Sequence, residues 1–278
     1  MKIGLSLGMT CPNRNNGGCV FCLPSTFTDV INDDNKLSLT DQISQLIPKI
    51  SSKTKTNKFI AYLQDETSTA CSPNFLKDSL AIIEKSNIFE EVIISTRPDY
   101  LNIDILIAIK SAKLPVTIEI GMQSCHDYSL LFLNRNHTHQ DTKKALKLCQ
   151  DFHIPTGVHL ILGIPGETKS MILETINFVN NEINIKDVKL HNLVIYQNTQ
   201  LSKIYHDYNF LSYPKYIELL ATVIGNLQPE KTISRLFTTN LRQDSLAINS
   251  FPGIKQIWLK ELWIYLKDKQ IYQGSLLS

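Results

Sequence analysis

The chain has 278 residues, 43% of them hydrophobic and 19% charged, with a formal net charge of +2 at pH 7. That length allows a sizeable core without disulfides, in the size range of one large α/β domain, and a charge so near neutral leaves partners to be read from local patches. The first ten residues, MKIGLSLGMT, lack a signal peptide's apolar stretch and cleavage site, and no window holds the roughly eighteen apolar residues of a membrane span, so a cytoplasmic protein with reduced thiols is expected.

The hydrophobic pattern predicts a short strand at Lys2–Gly8, then a loop reading TCPNRNNGGCVFCLPS, then a helix over Thr40–Ile50. From there strands and helices alternate. Strands are expected at Phe59–Gln64, Val92–Arg97, Val116–Met122, Thr156–Gly163 and Val188–Tyr196, each a β-branched run ending in polar, Gly or Pro residues. Helices are expected at Leu76–Glu84, Ile103–Ala112, Asp141–Asp151 and Ser170–Asn180, where apolar residues recur at three- and four-residue spacing. Such repeated units suit parallel strands joined by right-handed crossovers. The reading is an α/β fold, a partial six-stranded (β/α) TIM-like barrel over residues 1–212. A helix at Tyr213–Asn226, an extended segment at Thr232–Thr239 and a helix at Ile254–Lys267 form a C-terminal extension, residues 213–278, packed on the barrel and not independent of it. No Pro-, Gly- or Ser-rich linker divides the chain, and no short repeat is present.

Strand parity adds a chemical expectation. In VTIEIGMQ, Glu119 and Gln123 share a face; Tyr62 and Gln64 do so in FIAYLQ, His159 stands with Gly157 and Gly163, and Lys189 stands with His191. Polar groups on one face of four strands argue for a polar cavity with a polar ligand. The alternative is that these groups pair with one another as a structural network.

Cys11, Cys19 and Cys22 lie in the loop after the first strand, with Gly17 and Gly18 allowing a tight turn between them. A structural zinc site wants four ligands, and here the fourth would be distant: His126 is the nearest histidine and Cys71 the next cysteine. Three thiolates on one loop suit a 4Fe-4S cluster with one iron open to a small molecule.

An ordered set of strings carries a family resemblance: CPNR, GGCVFC, FIAYLQDETST, STRPDY, IEIGMQS, LNRNH, HLILGIPGE, VKLHNL and SRLFTTN. The chain resembles radical S-adenosylmethionine (SAM) enzymes, in the branch related to the elongator catalytic subunit and within it the YhcC-like family. Its cysteine spacing is C-x7-C-x2-C where the superfamily most often has C-x3-C-x2-C, and the early Cys11 implies a short N-terminal arm. No acetyltransferase domain of the elongator type is expected after the barrel.

The resemblance implies a 4Fe-4S cluster on Cys11, Cys19 and Cys22, with SAM chelating the fourth iron, and an electron donor such as flavodoxin or ferredoxin. It implies that Gln64, Asp65, Glu66 and Thr67 meet the methionyl amino group and that Glu119 binds the ribose. Gln123, Arg135 and His159 become candidates for the SAM carboxylate or the substrate wall. Gly163, Pro165 and Gly166, in the string that runs on to Glu167, bring backbone close to the adenine. Lys189 and His191 are candidate catalytic groups facing substrate, or a structural pair; both readings stand. Cys125 is a third candidate against a packing role, Cys149 reads as packing, and Cys71 is undecided. The substrate class implied is transfer RNA, at the side chain of the wobble uridine, with phosphate contacts from Lys53, Lys55 and Lys58 or from Lys143, Lys144 and Lys147; a solvated lysine face explains the same residues. Two alternatives remain: a radical SAM enzyme for a small metabolite or peptide, and a non-catalytic iron–sulfur or zinc module.

Overall fold

The structure is a computed structural model that describes residues 1–23, 37–51, 58–238, 248 and 251–277. Its strands are β1 (Lys2–Leu5), β2 (Phe59–Leu63), β3 (Phe89–Thr96), β4 (Val116–Gln123), β5 (Thr156–Leu162), β6 (Ile185–Asn192) and β7 (Thr232–Arg235). The helices are α1 (Leu39–Ser51), α2 (Pro73–Lys85), α3 (Ile103–Lys110), α4 (Asp127–Phe132), α5 (His139–Asp151), α6 (Lys169–Asn181), α7 (Leu201–Ile204), α8 (Tyr213–Asn226) and α9 (Lys255–Asp268). Among the described residues the strands form one sheet in the order β1-β2-β3-β4-β5-β6-β7, the sequential order of a (β/α) barrel and not of a doubly wound sheet.

The sheet has seven strands where the sequence suggested six. The segment expected only to be extended pairs with β6 in parallel, through Asp187↔Thr232 and Val188↔Ile233, before a register shift brings Lys189 opposite Arg235. The sixth strand is also displaced from its predicted place. It starts at Ile185, because the charged pair Lys186–Asp187 hides the alternation, and stops at Asn192, because Leu193 and Ile195 turn into a local apolar core.

The chain divides into two compact units. One contains Met1–Gly18, Pro24–Gly121 and Gln140–Thr156; the other contains Cys19–Leu23, Met122–His139 and Gly157–Ser278. In the first unit β1, β2, β3 and β4 pair in parallel, with Ala61↔Val92 and Ile94↔Ile118 among the matched positions. Val92, Ile94, Ile118 and Ile120 are fully buried. Helix α2 begins where Ser72 accepts the Phe75 N–H at 3.2 Å and Pro73 takes the first helical turn, and its stripe Leu76, Leu80 and Ile83 is buried. Helix α3 is capped in the same way by Asn102, which accepts the Ile105 N–H at 3.0 Å.

The second unit rests on α6, α8 and α9. Fully buried Tyr216 donates its hydroxyl to the Leu236 carbonyl at 2.8 Å and stacks with Phe237 and Phe251, which in turn meet Trp258 of α9. Helix α6 is joined to the turn before β7 by one side chain: Asn180 donates to the Asn226 carbonyl at 2.8 Å and accepts the Gln228 N–H at 3.0 Å. Lys231 Nζ and Gln273 Nε2 satisfy further carbonyls around that turn. Periodicity shows Asn180 only as a polar position in an amphipathic helix.

Asn180→Leu keeps the branching of the side chain and orphans two part-buried backbone groups, at a cost of up to about 1–3 kcal/mol each. Denaturant unfolding should show that loss of stability with no loss of secondary structure in the folded baseline; an unchanged midpoint would mean that water replaces both bonds.

Candidate active site

The motif strings follow the C-terminal ends of strands: the cysteine segment after β1, DETST after β2, RPDY after β3, SCH after β4 and GIPGE after β5. Parallel α/β enzymes carry their chemistry at that end.

In the first unit, two adjacent carboxylates organise the approach to Cys11. Asp65 accepts the Ser6 hydroxyl at 2.6 Å, the Leu7 N–H at 2.9 Å and the Met9 N–H at 3.3 Å. Burial pushes its carboxyl above the usual range, and these bonds pull it part of the way back. From α1, Gln42 clasps the same segment, accepting the Ser6 N–H and donating to the Ser6 carbonyl, both at 2.8 Å. Glu66 accepts the Cys11 N–H at 3.2 Å and the fork of Arg14, through Nε at 2.7 Å and through Nη2. The turn Pro12–Asn16 then ends on Gly17 and Gly18 at φ 87° and 74°, a conformation that disfavours any side chain. Thr67 donates to the Glu66 carbonyl at 2.7 Å, and Gln64 bonds through its N–H to the Leu5 carbonyl at 3.1 Å. Glu119 is buried, and its Oε1 lies 3.2 Å from the Lys2 ammonium, which also sits 5.6 Å from the centroid of the Tyr62 ring.

In the second unit, Cys19 and Cys22 are fixed by the residue after Cys19. The Val20 N–H bonds to the Leu133 carbonyl at 3.1 Å and its carbonyl accepts from Leu201 at 2.8 Å. Its side chain packs with Leu133, Ile161, Ile164, Leu193 and Leu201. The Cys22 N–H closes the turn onto the Cys19 carbonyl at 3.0 Å. Arg135 is buried and donates from Nη1 to Cys19 Sγ at 3.5 Å. Its flanking residues, Asn134 and Asn136, hold left-handed φ values of 50° and 49°, which asparagine tolerates better than most residues.

The loops after β4 and β5 are pinned together. Gln123 has φ 69° at the end of β4, and Ser124 Oγ donates to Glu167 Oε1 at 2.6 Å. A crevice beside them, with room for little more than a water, is lined by Gln123, Leu160, Leu162, Ile172 and Thr175. Gly163 has φ 85°, and a Cβ there would come within 2.8 Å of Leu211, so this position excludes a side chain twice over. Pro165 is buried, and Gly166 lies against Tyr128. Burial pushes the Glu167 carboxyl up; the Ser124 hydrogen bond and the neighbouring His126 oppose that. His159 and His191 face each other on β5 and β6 with ring centroids 5.3 Å apart, and Lys189 is buried on the face it shares with His191.

The other cysteines have local explanations. Cys125 accepts the Thr175 hydroxyl at 3.2 Å and donates its N–H to the same oxygen at 3.3 Å, which ties it to α6. Cys149 is fully buried, and desolvation alone pushes its thiol up to about 12. Cys71 donates to the Ser68 carbonyl at 3.6 Å. All six cysteines are free thiols. The lysine stretches divide: Lys144 and Lys147 pair with Asp141 and Asp151 of their own helix, Lys58 pairs with Glu90, and Lys53 and Lys55 lie outside the described residues.

The sequence profile described as the Radical SAM superfamily matches residues 6–179. The chain belongs to that superfamily. An uncharacterised protein of Methanocaldococcus jannaschii is 33% identical over 244 residues, covering 84% of this chain and 74% of its own length. Protein YhcC of Escherichia coli is 26% identical over 293 residues, covering all of this chain and 90% of its own. A tRNA uridine(34) acetyltransferase of M. jannaschii is 27% identical over 174 residues, 61% of this chain and 31% of the relative. Among solved structures, the archaeal Methanocaldococcus infernus Elp3 with an N-terminal deletion superposes at a TM-score of 0.72 over 98% of this chain and 64% of that one; at 18% identity this likeness speaks for the fold alone.

This radical SAM enzyme therefore uses the superfamily's two cofactors, a 4Fe-4S cluster and SAM. The donor set fits the cluster: three free thiols on a loop shaped by glycines, one of them beside a guanidinium. Among the described residues no three His, Cys, Asp or Glu side chains converge on a single ion. A cube needs no such convergence, because each thiolate holds its own iron.

Two predictions follow from these anchors. Glu66→Ala removes both the Cys11 N–H acceptor and the Arg14 fork, so iron retained after anaerobic reconstitution should fall well below wild type while thermal stability drops by only about 1–3 kcal/mol; full iron content would show that Cys11 needs no such anchor. For Glu167, a folded pKa above the unfolded one means that the folded state holds the extra proton, so stability contributed in acid is lost as the pH rises through the raised value. Glu167→Gln keeps an acceptor for Ser124 and removes that loss, so its melting temperature should exceed wild type at neutral pH and converge with it toward the ordinary carboxylate range. Parallel pH profiles would refute this.

Proposed function

We propose that Cys11, Cys19 and Cys22 hold three irons of the cluster and that this enzyme modifies the side chain of a wobble uridine in transfer RNA. The observation that best supports the first part is the separate anchoring of the motif's two ends, by Glu66 at Cys11 and by Val20 with Arg135 at Cys19. A loop held only for packing has no need of buried polar anchors beside its thiols. When bound and reduced, the cluster and SAM supply a 5′-deoxyadenosyl radical that abstracts hydrogen from an unactivated carbon. The chain's own residues bind, orient and exclude water. Asp65 and Glu66 act on the loop that carries Cys11, leaving the backbone of Gln64–Thr67 for the methionyl amino group. Glu119 offers an acceptor to the ribose hydroxyls, with Lys2 as its counter-ion. The turn at Gly163, Pro165 and Gly166, held to Ser124 by Glu167, offers backbone to the adenine.

The transfer RNA part rests on the similarity to an enzyme named for uridine 34 of transfer RNA. An anticodon loop is already single-stranded, which lowers the cost of placing its base in a pocket. The self-paired lysines of α5 give this reading no support, so any phosphate contacts fall to other residues.

Anaerobic reconstitution should give about four irons per chain and SAM-dependent release of 5′-deoxyadenosine. Replacing Cys11, Cys19 or Cys22 by Ala should abolish that release, whereas Cys149→Ala should preserve it. With transfer RNA present, a wobble nucleoside of altered mass should form. SAM cleavage without any nucleoside change, repeated with transfer RNA from a strain lacking the gene, would leave the radical chemistry standing and remove the RNA substrate.

A further inference from the structure

In the second unit, Arg135 and Cys19 are held by one local frame. Helix α4 closes where the Leu133 N–H bonds to the Ser129 carbonyl at 3.0 Å and the Arg135 N–H to the Leu130 carbonyl at 2.9 Å. Asn134 and Asn136, at φ 50° and 49°, turn the chain on either side of Arg135, so backbone on both flanks sets where its side chain starts. The same helix end receives the cysteine turn. The Val20 N–H bonds to the Leu133 carbonyl at 3.1 Å, and Val20 and Leu133 share one apolar core. Across this junction Arg135 Nη1 donates to Cys19 Sγ at 3.5 Å.

The residue type matters here. Packing alone asks for an apolar side chain, and Val20 meets that need beside Cys19. Arginine instead carries a charge that no accessible pH removes and a planar set of N–H donors. Cys19 and Arg135 are each 8% exposed, so water screens their interaction poorly. Hydrogen bonds to the ligand sulfurs are among the factors that set an iron–sulfur cluster's reduction potential. A donor on sulfur draws off electron density and favours the state with the extra electron.

We infer that Arg135 raises the reduction potential of the cluster by donating to the Cys19 thiolate. It acts through Cys19, as a tuning residue, and not on the reacting atoms. The step it governs is a one-electron reduction: a low-potential one-electron donor loses an electron, the cluster gains it, and no bond forms or breaks. The effect does not require the guanidinium to be otherwise unpaired, because the N–H on sulfur is what acts and any further partner only fixes its direction. The inference rests on Cys19 as a cluster ligand, the reading given above.

The test is a redox titration of the full chain after anaerobic reconstitution, without SAM, followed through the paramagnetic signal of the reduced cluster. Arg135→Leu removes every donor and should move the midpoint to more negative potential by about 59 mV or more, which is a tenfold change in a one-electron equilibrium. Arg135→Lys keeps the charge without the planar fork and should move it less. SAM affinity, read from the change SAM causes in the same signal, should stay within a few-fold of wild type in Arg135→Lys. An unchanged midpoint in Arg135→Leu protein that holds its cluster overturns the inference; so does an unchanged midpoint joined to a tenfold loss of SAM affinity, which would give the guanidinium to SAM's carboxylate. If neither variant retains iron, Arg135 serves assembly and the inference also fails. Cys19→Ala protein that keeps a full cluster at the wild-type potential would strike at the underlying reading instead, by removing Cys19 from the ligand set.

Discussion

Adjacent carboxylates, Asp65 and Glu66, set the course of the chain from β1 to Cys11. Ser6–Cys11 has no secondary structure, and such a segment loses about 1–2 kcal/mol of backbone entropy for each residue it orders. Four hydrogen-bonded backbone or hydroxyl groups converge on Asp65 and Glu66, and Arg14 clamps the far side of Cys11 through a bidentate pair. Val20 does the same for Cys19 and Cys22 by the opposite means, an apolar side chain in a packed cluster with both of its backbone groups spoken for.

This division of labour explains residues that a family resemblance assigns to ligand contact. The DET run after β2 looks like a methionine-binding string, yet its two carboxylates are occupied by the β1 loop. Arg97 in the RPDY run is buried and locked onto Asp99 by two bonds of 2.9 Å, while Thr69 links its own loop to Thr96 and to the Tyr100 carbonyl. Each string ties its loop to a neighbouring segment.

How much of this was legible in the sequence depends on the range of each interaction. Helices α2, α5, α6 and α8 fall within a few residues of their predicted bounds because their apolar spacing and N-caps are local signals. The short α4 escaped because six residues hold too little periodicity. Strand β7 escaped because Thr232–Arg235 has no alternating pattern of its own and becomes a strand only by pairing with β6. The close spacing of Cys11, Cys19 and Cys22 was readable in the sequence. The bonds that hold the loops were not: Ser6 and Asp65 are 59 positions apart, Arg14 and Glu66 are 52, and Ser124 and Glu167 are 43. The only trace available beforehand was the complementary charge of CPNR and QDET.

The polar faces of the two units differ in a way that strand parity alone could not reveal. In the first, Glu119 meets Lys2, so the charge of this buried carboxylate is balanced locally. In the second, Asp187 and Lys189 share a face of β6, Lys189 is in register with Arg235, and the rings of His159 and His191 lie 5.3 Å apart. A radical that removes hydrogen from an unactivated carbon discriminates poorly by reactivity, so selectivity has to reside in where the substrate is held. Polar side chains held in place by their own neighbours are well suited to that task, because they position a molecule through directional bonds while leaving the carbon to be attacked without any polar contact of its own.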